Sequence, residues 1–148
     1  MKKIIFFGFL IMFNFTFSQN KEISILGLWQ QNDSIVSSMY YDTYQFHSNG
    51  TFVFKPNEYN GLNRILSING TYKLKNDKLI LTPLKTEELI GGYPVRSEIT
   101  TLSDSWEIKG AQKVIRYIKK RKPQITNLKF IQNEKCILID CIKYFKTY

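Results

Sequence analysis

The stretch from Tyr40 to Lys55, YYDTYQFHSNGTFVFK, constrains the fold more than any other. Tyr40, Asp42, Tyr44 and Phe46 alternate onto one face of a strand, and Phe52 and Phe54 onto one face of the next, because successive strand side chains point to opposite sides. The loop between them decides whether the rings meet. A two-residue Asn-Gly loop pairs Phe46 with Val53 and divides the aromatics between two faces. A three-residue loop, Ser48-Asn49-Gly50, pairs His47 with Thr51, Phe46 with Phe52 and Tyr44 with Phe54, which gathers all four rings on one side. That loop class places a left-handed residue at Gly50, where glycine fits without steric cost. A one-residue slip would turn the aromatic face to water, so the three-residue loop is expected.

Alternation recurs along the rest of the chain. Gly27-Leu28-Trp29 opens a first strand from about Leu26 to Asn32, and DSIVSSM at 33–39 reads as a connection. Residues 56–61, PNEYNG, are a loop by their turn residues. A second hairpin runs from about Arg64 to Pro83 around Asn76-Asp77, pairing Leu74 with Leu79 and Tyr72 with Leu81. Asn69-Gly70-Thr71 repeats the triplet at 49–51, but it falls mid-strand, where Gly70 marks a bulge or a close backbone approach. Residues 84–94, with Gly91, Gly92 and Pro94, read as a long connection. Val95 to Leu102 and the segment after a Ser103-Asp104 turn form another pair, with Thr101 facing Trp106 and Ile99 facing Ile108. Gln112 to Lys119 is a further strand, followed by the basic loop Lys119-Lys120-Arg121-Lys122. A last hairpin, Ile125 to Gln132 and Lys135 to Phe145 around Asn133-Glu134, sets Phe130 on Ile137 and Leu128 on Ile139, with Cys141 further along that face. No helical period occurs after the first eighteen residues. The chain is therefore expected to be all-β, an antiparallel up-and-down β-barrel of 8–10 strands. A sandwich would require long crossovers that the spacing does not provide.

Residues 1–18 read as a signal peptide. Lys2-Lys3 precede an apolar run from Ile4 to Phe17, and Thr16-Phe17-Ser18 sets small residues at the cleavage positions. The run is short for a membrane span, which takes ~20 residues. No cysteine follows it, so a lipoprotein is not expected. Residues 19–148 form one domain of sufficient length for its own core, and the protein is expected to be secreted or periplasmic. The chain holds 21 Lys and Arg against 12 Asp and Glu, a net charge of +9; loss of Lys2 and Lys3 with the leader leaves about +7. Export and the absence of Arg-aromatic interleaving argue against nucleic acid. Cys136 and Cys141, in CILIDC, lie too far apart along one strand for a disulfide.

The sequence supplies no catalytic constellation. His47 is the only histidine, and no second cysteine or histidine cluster accompanies the two cysteines, so neither a metal nor a cofactor is expected. Glu87-Glu88 are adjacent and point apart, which does not suit an acid–base pair. No nucleophile has a base at recognisable spacing. The protein is not expected to be an enzyme.

Three segments carry a family resemblance: G-L-W at 27–29, F-H-S-N-G-T-F at 46–52 and N-G-T-Y-K-L-K-N-D-K-L-I-L at 69–81. Together they resemble the small secreted bacterial proteins called lipocalin-like, and ITTLSD at 99–104 is similar to a recurrent stretch in that group. The second lipocalin motif, T-D-x-x-Y, is absent, and no arginine near the C-terminus matches the one that stacks on the motif tryptophan. The resemblance implies a structural role for Gly27 and Trp29, with the tryptophan closing the barrel base, and a small apolar or amphiphilic ligand in the barrel mouth.

Two readings stay open. In the first, the rings of Tyr40, Tyr44, Phe46, Phe52, Phe54, Tyr72 and Trp106 line a ligand cavity. Arg116 is then the interior cation for an anionic head if Val114, Arg116 and Ile118 face inward; if Ile115 and Tyr117 do, Arg116 meets solvent. In the second, the rings fill the barrel and the protein is an envelope protein-binding or inhibitor module. Its basic segment from Lys109 to Lys122, with seven cations and no acid, would meet an acidic protein or a membrane surface. The sequence leaves the oligomeric state open. Mass spectrometry of the exported fraction is expected to give a chain beginning at Gln19; retention of Met1 would exclude cleavage.

Overall fold

The computed structural model describes residues 24–32, 40–97 and 105–147. The expected leader, the connection at 33–39 and the Ser103-Asp104 turn lie outside them. The described chain forms nine strands: β1 Gly27–Gln31, β2 Thr43–Phe46, β3 Thr51–Lys55, β4 Ile65–Lys75, β5 Lys78–Arg96, β6 Trp106–Tyr117, β7 Gln124–Ile131, β8 Cys136–Ile139 and β9 Ile142–Lys146. All pair antiparallel. Eight of them, without β6, close into a barrel in which β9 returns to β1 and β7 pairs directly with β5.

The first hairpin has the expected register: Phe46 faces Phe52 and Tyr44 faces Phe54. Gly50 has φ 77°, and the His47 N–H donates to the Thr51 carbonyl at 2.9 Å. The Asn49 side chain accepts from the Thr51 N–H at 3.1 Å, which braces the loop. In the second hairpin Leu74 faces Leu79 and Tyr72 faces Leu81. The register shifts between Asn69 and Gly70, and a Cβ on Gly70 would strike the Thr82 carbonyl oxygen and come within 2.7 Å of the Phe52 ring. This glycine thus marks both a bulge and a close approach.

Three stretches differ from the sequence expectation, the first being β5 together with its partner β6. Residues 84–94 are not a connection but part of β5, which continues to Arg96. The β4–β5 ladder stops at Ile65–Glu88, so above that level β5 pairs only with β6. Gly91, Gly92 and Pro94 are tolerated there because one edge of β5 has no ladder to break. The segment carrying Trp106 and Ile108 and the strand expected from Gln112 are one strand, β6, in which Trp106 pairs with Arg96 and Ile108 with Pro94, not with Thr101 and Ile99. A two-residue turn at 103–104 would have forced the wrong register.

The second difference concerns the basic loop. Both β6 and β7 run antiparallel to β5, so residues 118–123 do not reverse the chain. β6 lies on the upper part of β5 and β7 on the lower part, as two pieces of one strand position separated by residues 118–123.

The third is the last strand, which breaks at Asp140-Cys141. These residues have φ of 47° and 70°, as a two-residue hairpin turn of the primed type requires. Cys141 therefore sits in an exposed turn, not on the face of Ile137 and Ile139. The pairs Phe130–Ile137 and Leu128–Ile139 hold as expected, and both cysteines are free.

The core joins Phe46, Phe52, Leu79, Leu81, Ile137 and Ile139, each no more than 5% exposed, to Trp29 and Tyr144. Each such side chain contributes about 1.5–3 kcal/mol by leaving water. Gly50→Val forces a β-branched residue into the left-handed region and is expected to destabilise the fold by about 1–3 kcal/mol. A thermal melt checks this; an unchanged melting temperature would contradict the loop geometry.

Candidate functional site

Cross-strand partners lie on the same side of a sheet, so the ladders define one row through the barrel wall. Lys146 is opposite Trp29, Trp29 opposite Tyr44, Tyr44 opposite Phe54, Phe54 opposite Ile68, Ile68 opposite Thr86, and Thr86 opposite Arg116. Trp29, Tyr44, Phe54 and Ile68 all pack with the core, so the row faces inward, and it climbs from the base to the mouth on β6.

At the base, the Trp29 indole N–H donates to the Ile25 carbonyl. The Lys146 ammonium stands 5.5 Å from the Trp29 ring centre. A C-terminal cation thus covers this tryptophan, although it is a lysine and not an arginine.

Inside the barrel the rings touch one another. Tyr44 lies 4.8 Å from Phe54, 5.3 Å from Tyr144 and 5.6 Å from Phe46, and Phe46 lies 5.0 Å from Tyr72. Such separations suit offset and edge-on aromatic contact. Of the residues expected inside, the structure brings together Tyr44, Phe46, Phe52, Phe54 and Tyr72. Tyr40 and Trp106 are elsewhere. Tyr40 precedes β2, is exposed, and meets the Tyr59 ring of the β3–β4 loop at 5.3 Å. Trp106 opens β6 beyond the barrel, also exposed; the alternation that placed it inside assumed a register that the ladder does not have. Tyr144 belongs to the cluster and was not expected there.

Arg116 lies on the inward side at the mouth, largely exposed, and both sequence alternatives are partly met. Ile115 and Tyr117 face outward, yet the guanidinium is not available as a lone interior cation. Its Nε donates to Glu88 at 3.2 Å. The Thr86 hydroxyl also donates to Glu88, and with Arg116 it holds that carboxyl below the ordinary range. Glu87 points to the opposite side, 2.9 Å from Lys113, which holds it low as well. Neither glutamate has the raised proton affinity that an acid catalyst needs.

The mouth also carries acids. Asp42 accepts from the Asn57 N–H at 2.9 Å, and Asp140 from the Asn127 N–H at 2.9 Å. Burial first, then the charges of Asp42 and Asp140, push the Tyr44 phenol up to about 12. Burial pushes Tyr144 upward too, with Tyr44 and Asp42 adding to it. Both phenols are neutral hydrogen-bonding groups at neutral pH.

Outside the barrel, the β3–β4 loop and the walls of β4, β5 and β6 enclose a cleft of about 380 Å³, lined by Asn57, Asn60, Ser67, Glu87, Leu89 and Lys113 among others. Cys136 is buried, and its thiol faces Glu134 at 3.8 Å. Burial and that carboxylate raise the thiol's pKa, which makes it a poor nucleophile. Among the described residues no three His, Cys, Asp or Glu side chains converge to hold a metal ion.

A family model described as a lipocalin-like domain matches residues 15–106. No curated protein and no solved structure matches the chain.

The raised Tyr44 phenol sets a pH dependence. Its folded pKa exceeds the ordinary value of 10.0, so its contribution to stability is complete below that value and is lost as pH rises toward about 12. Chemical denaturation across this window is expected to show stability falling, with a shallower fall in Tyr44→Phe. Equal slopes for the two proteins would contradict the burial of this phenol.

Proposed function

Since this chain belongs to the lipocalin-like domain family, whose barrels are typically non-enzymatic binders of small ligands, we propose that it is an exported protein. In this reading it binds a small hydrophobic or amphiphilic molecule at the barrel mouth. The observation that carries this reading is the inward row from Trp29 to Arg116. Its lower end is closed by packed rings. Its upper end offers the half-buried Tyr44, Phe54 and Ile68 as an apolar floor, with Thr86, Glu88 and Arg116 as a polar rim. A ligand body on that floor gains ~25 cal/mol per Å² of apolar surface removed from water. The head group has a donor and acceptor in the neutral, half-buried Tyr44 phenol. An acidic head has less to gain, because Glu88 already occupies Arg116 and the nearby Asp42 and Asp140 repel it. The leader-like residues 1–18 support action outside the cytoplasm.

A second reading draws on the ring contacts. Phe46 and Phe52 are each 2% exposed, which suits a filled barrel acting through its basic surface, such as an envelope protein-binding or inhibitor module.

Titration of the delipidated protein with fluorescent amphiphiles, one neutral and one acidic, separates the two. Micromolar binding of the neutral probe is expected. Arg116→Ala is expected to change binding of the acidic probe by less than about tenfold, since an exposed, already paired cation contributes little. Loss of acidic-probe binding in that variant would restore the anion site. No binding of either probe would leave the filled-barrel reading.

A further inference from the structure

The outward wall of β5, β6 and β7 presents side chains that neither the core nor the mouth uses. Ile80 pairs with Ile125, Lys85 with Tyr117, Glu87 with Ile115, and Leu89 with Lys113. Glu87 and its neighbours in this set lie opposite to the inward row, because Ile68, Thr86 and Arg116 alternate with them. Tyr117 is 72% exposed, Ile125 67% and Ile115 52%. Between Tyr117 and Ile125 lie residues 118–123, which include Lys119, Lys120, Arg121 and Lys122, all exposed. The one carboxylate among these pairs, Glu87, is already bound to Lys113.

Three large apolar side chains therefore face outward around the basic segment at 119–122. Large apolar side chains exposed on both sides of a basic segment mark a candidate interaction site. The chemistry selects the partner. Tyrosine and isoleucine are at home at the boundary of lipid headgroups and acyl chains, while lysine stems lie along apolar surface and put their charge among the headgroups. A basic cluster beside them is drawn to an anionic leaflet. A second copy of this wall is a poor occupant, because it would bring a second set of residues 119–122, of the same charge, to the interface. An acidic protein would satisfy the cations but would need recesses of its own for three protruding apolar groups.

We propose that this wall docks the protein on the surface of an anionic lipid bilayer. Ile115, Tyr117 and Ile125 enter the interface, and residues 119–122 lie on the headgroups. This goes beyond ligand binding at the mouth and does not rest on it.

Flotation of the chain beginning at Gln19 with phosphatidylcholine vesicles, with and without phosphatidylglycerol, tests the proposal. Binding is expected only to the vesicles containing phosphatidylglycerol, and it weakens as salt is raised. Combined Lys119→Gln, Lys120→Gln, Arg121→Gln and Lys122→Gln changes are expected to weaken binding about tenfold or more. Tyr117→Ser with Ile125→Ser should also weaken it, at an unchanged melting temperature. Failure to float with anionic vesicles, equal binding to neutral ones, or full binding by either variant would overturn the proposal. Retention of a polyglutamate peptide without vesicle binding would overturn it in favour of an acidic protein partner.

Discussion

The ladder between β1 and β9 converts a sheet into a barrel. It pairs Trp29 with Lys146, Gln30 with Phe145 and Gln31 with Tyr144, and Thr147 extends it by donating from its N–H and its hydroxyl to the Leu28 carbonyl at 3.0 and 3.2 Å. Without this seam both end strands would be open edges, with unpaired backbone groups and one half of the aromatic cluster facing water. The seam also brings Tyr144 to Tyr44 and Lys146 to Trp29. The contacts that fill the barrel and those that cover its base thus share one short ladder.

The ring cluster is the counterpart of that closure. Rings of β1, β2, β3, β4 and β9 pack together below the mouth, as side chains do inside a small barrel. The Tyr72 hydroxyl donates to the His47 carbonyl at 3.0 Å. Burial of polar aromatics is tolerable when their hydroxyls can reach partners.

The parts of this design that were legible in the sequence are those fixed by short-range rules. The loop Ser48-Asn49-Gly50 and the turn Asn76-Asp77 determine their registers, and with them the positions of Tyr44, Phe46, Phe52, Phe54 and Tyr72. Gly70 was recognisable because a glycine inside an alternating strand needs a reason. What escaped was governed by partners distant in sequence. Gly91, Gly92 and Pro94 look like a loop until it is known that β5 has a neighbour on only one side there. Asp140-Cys141 looks like strand because cysteine is not a usual residue at positive φ. Reading through that turn put Phe145 in phase with Ile137, whereas the ladder sets Tyr144 there, so a member of the cluster was missed. The ion pair of Arg116 with Glu88 depends on the β5–β6 register, which no local signal conveys.

The length of β5 has a consequence for motion. Its lower part is held on both sides, by β4 and by β7, and belongs to the closed barrel. Beyond Glu88 it is held by β6, with the Arg64 side chain and backbone reaching its other edge at Leu89 and Gly91. Backbone protection tracks the number of ladders that must open together. A single unbroken strand therefore spans two cooperative units: a lower segment whose amides exchange only when the whole barrel opens, and an upper segment whose amides exchange when the ribbon alone separates from it.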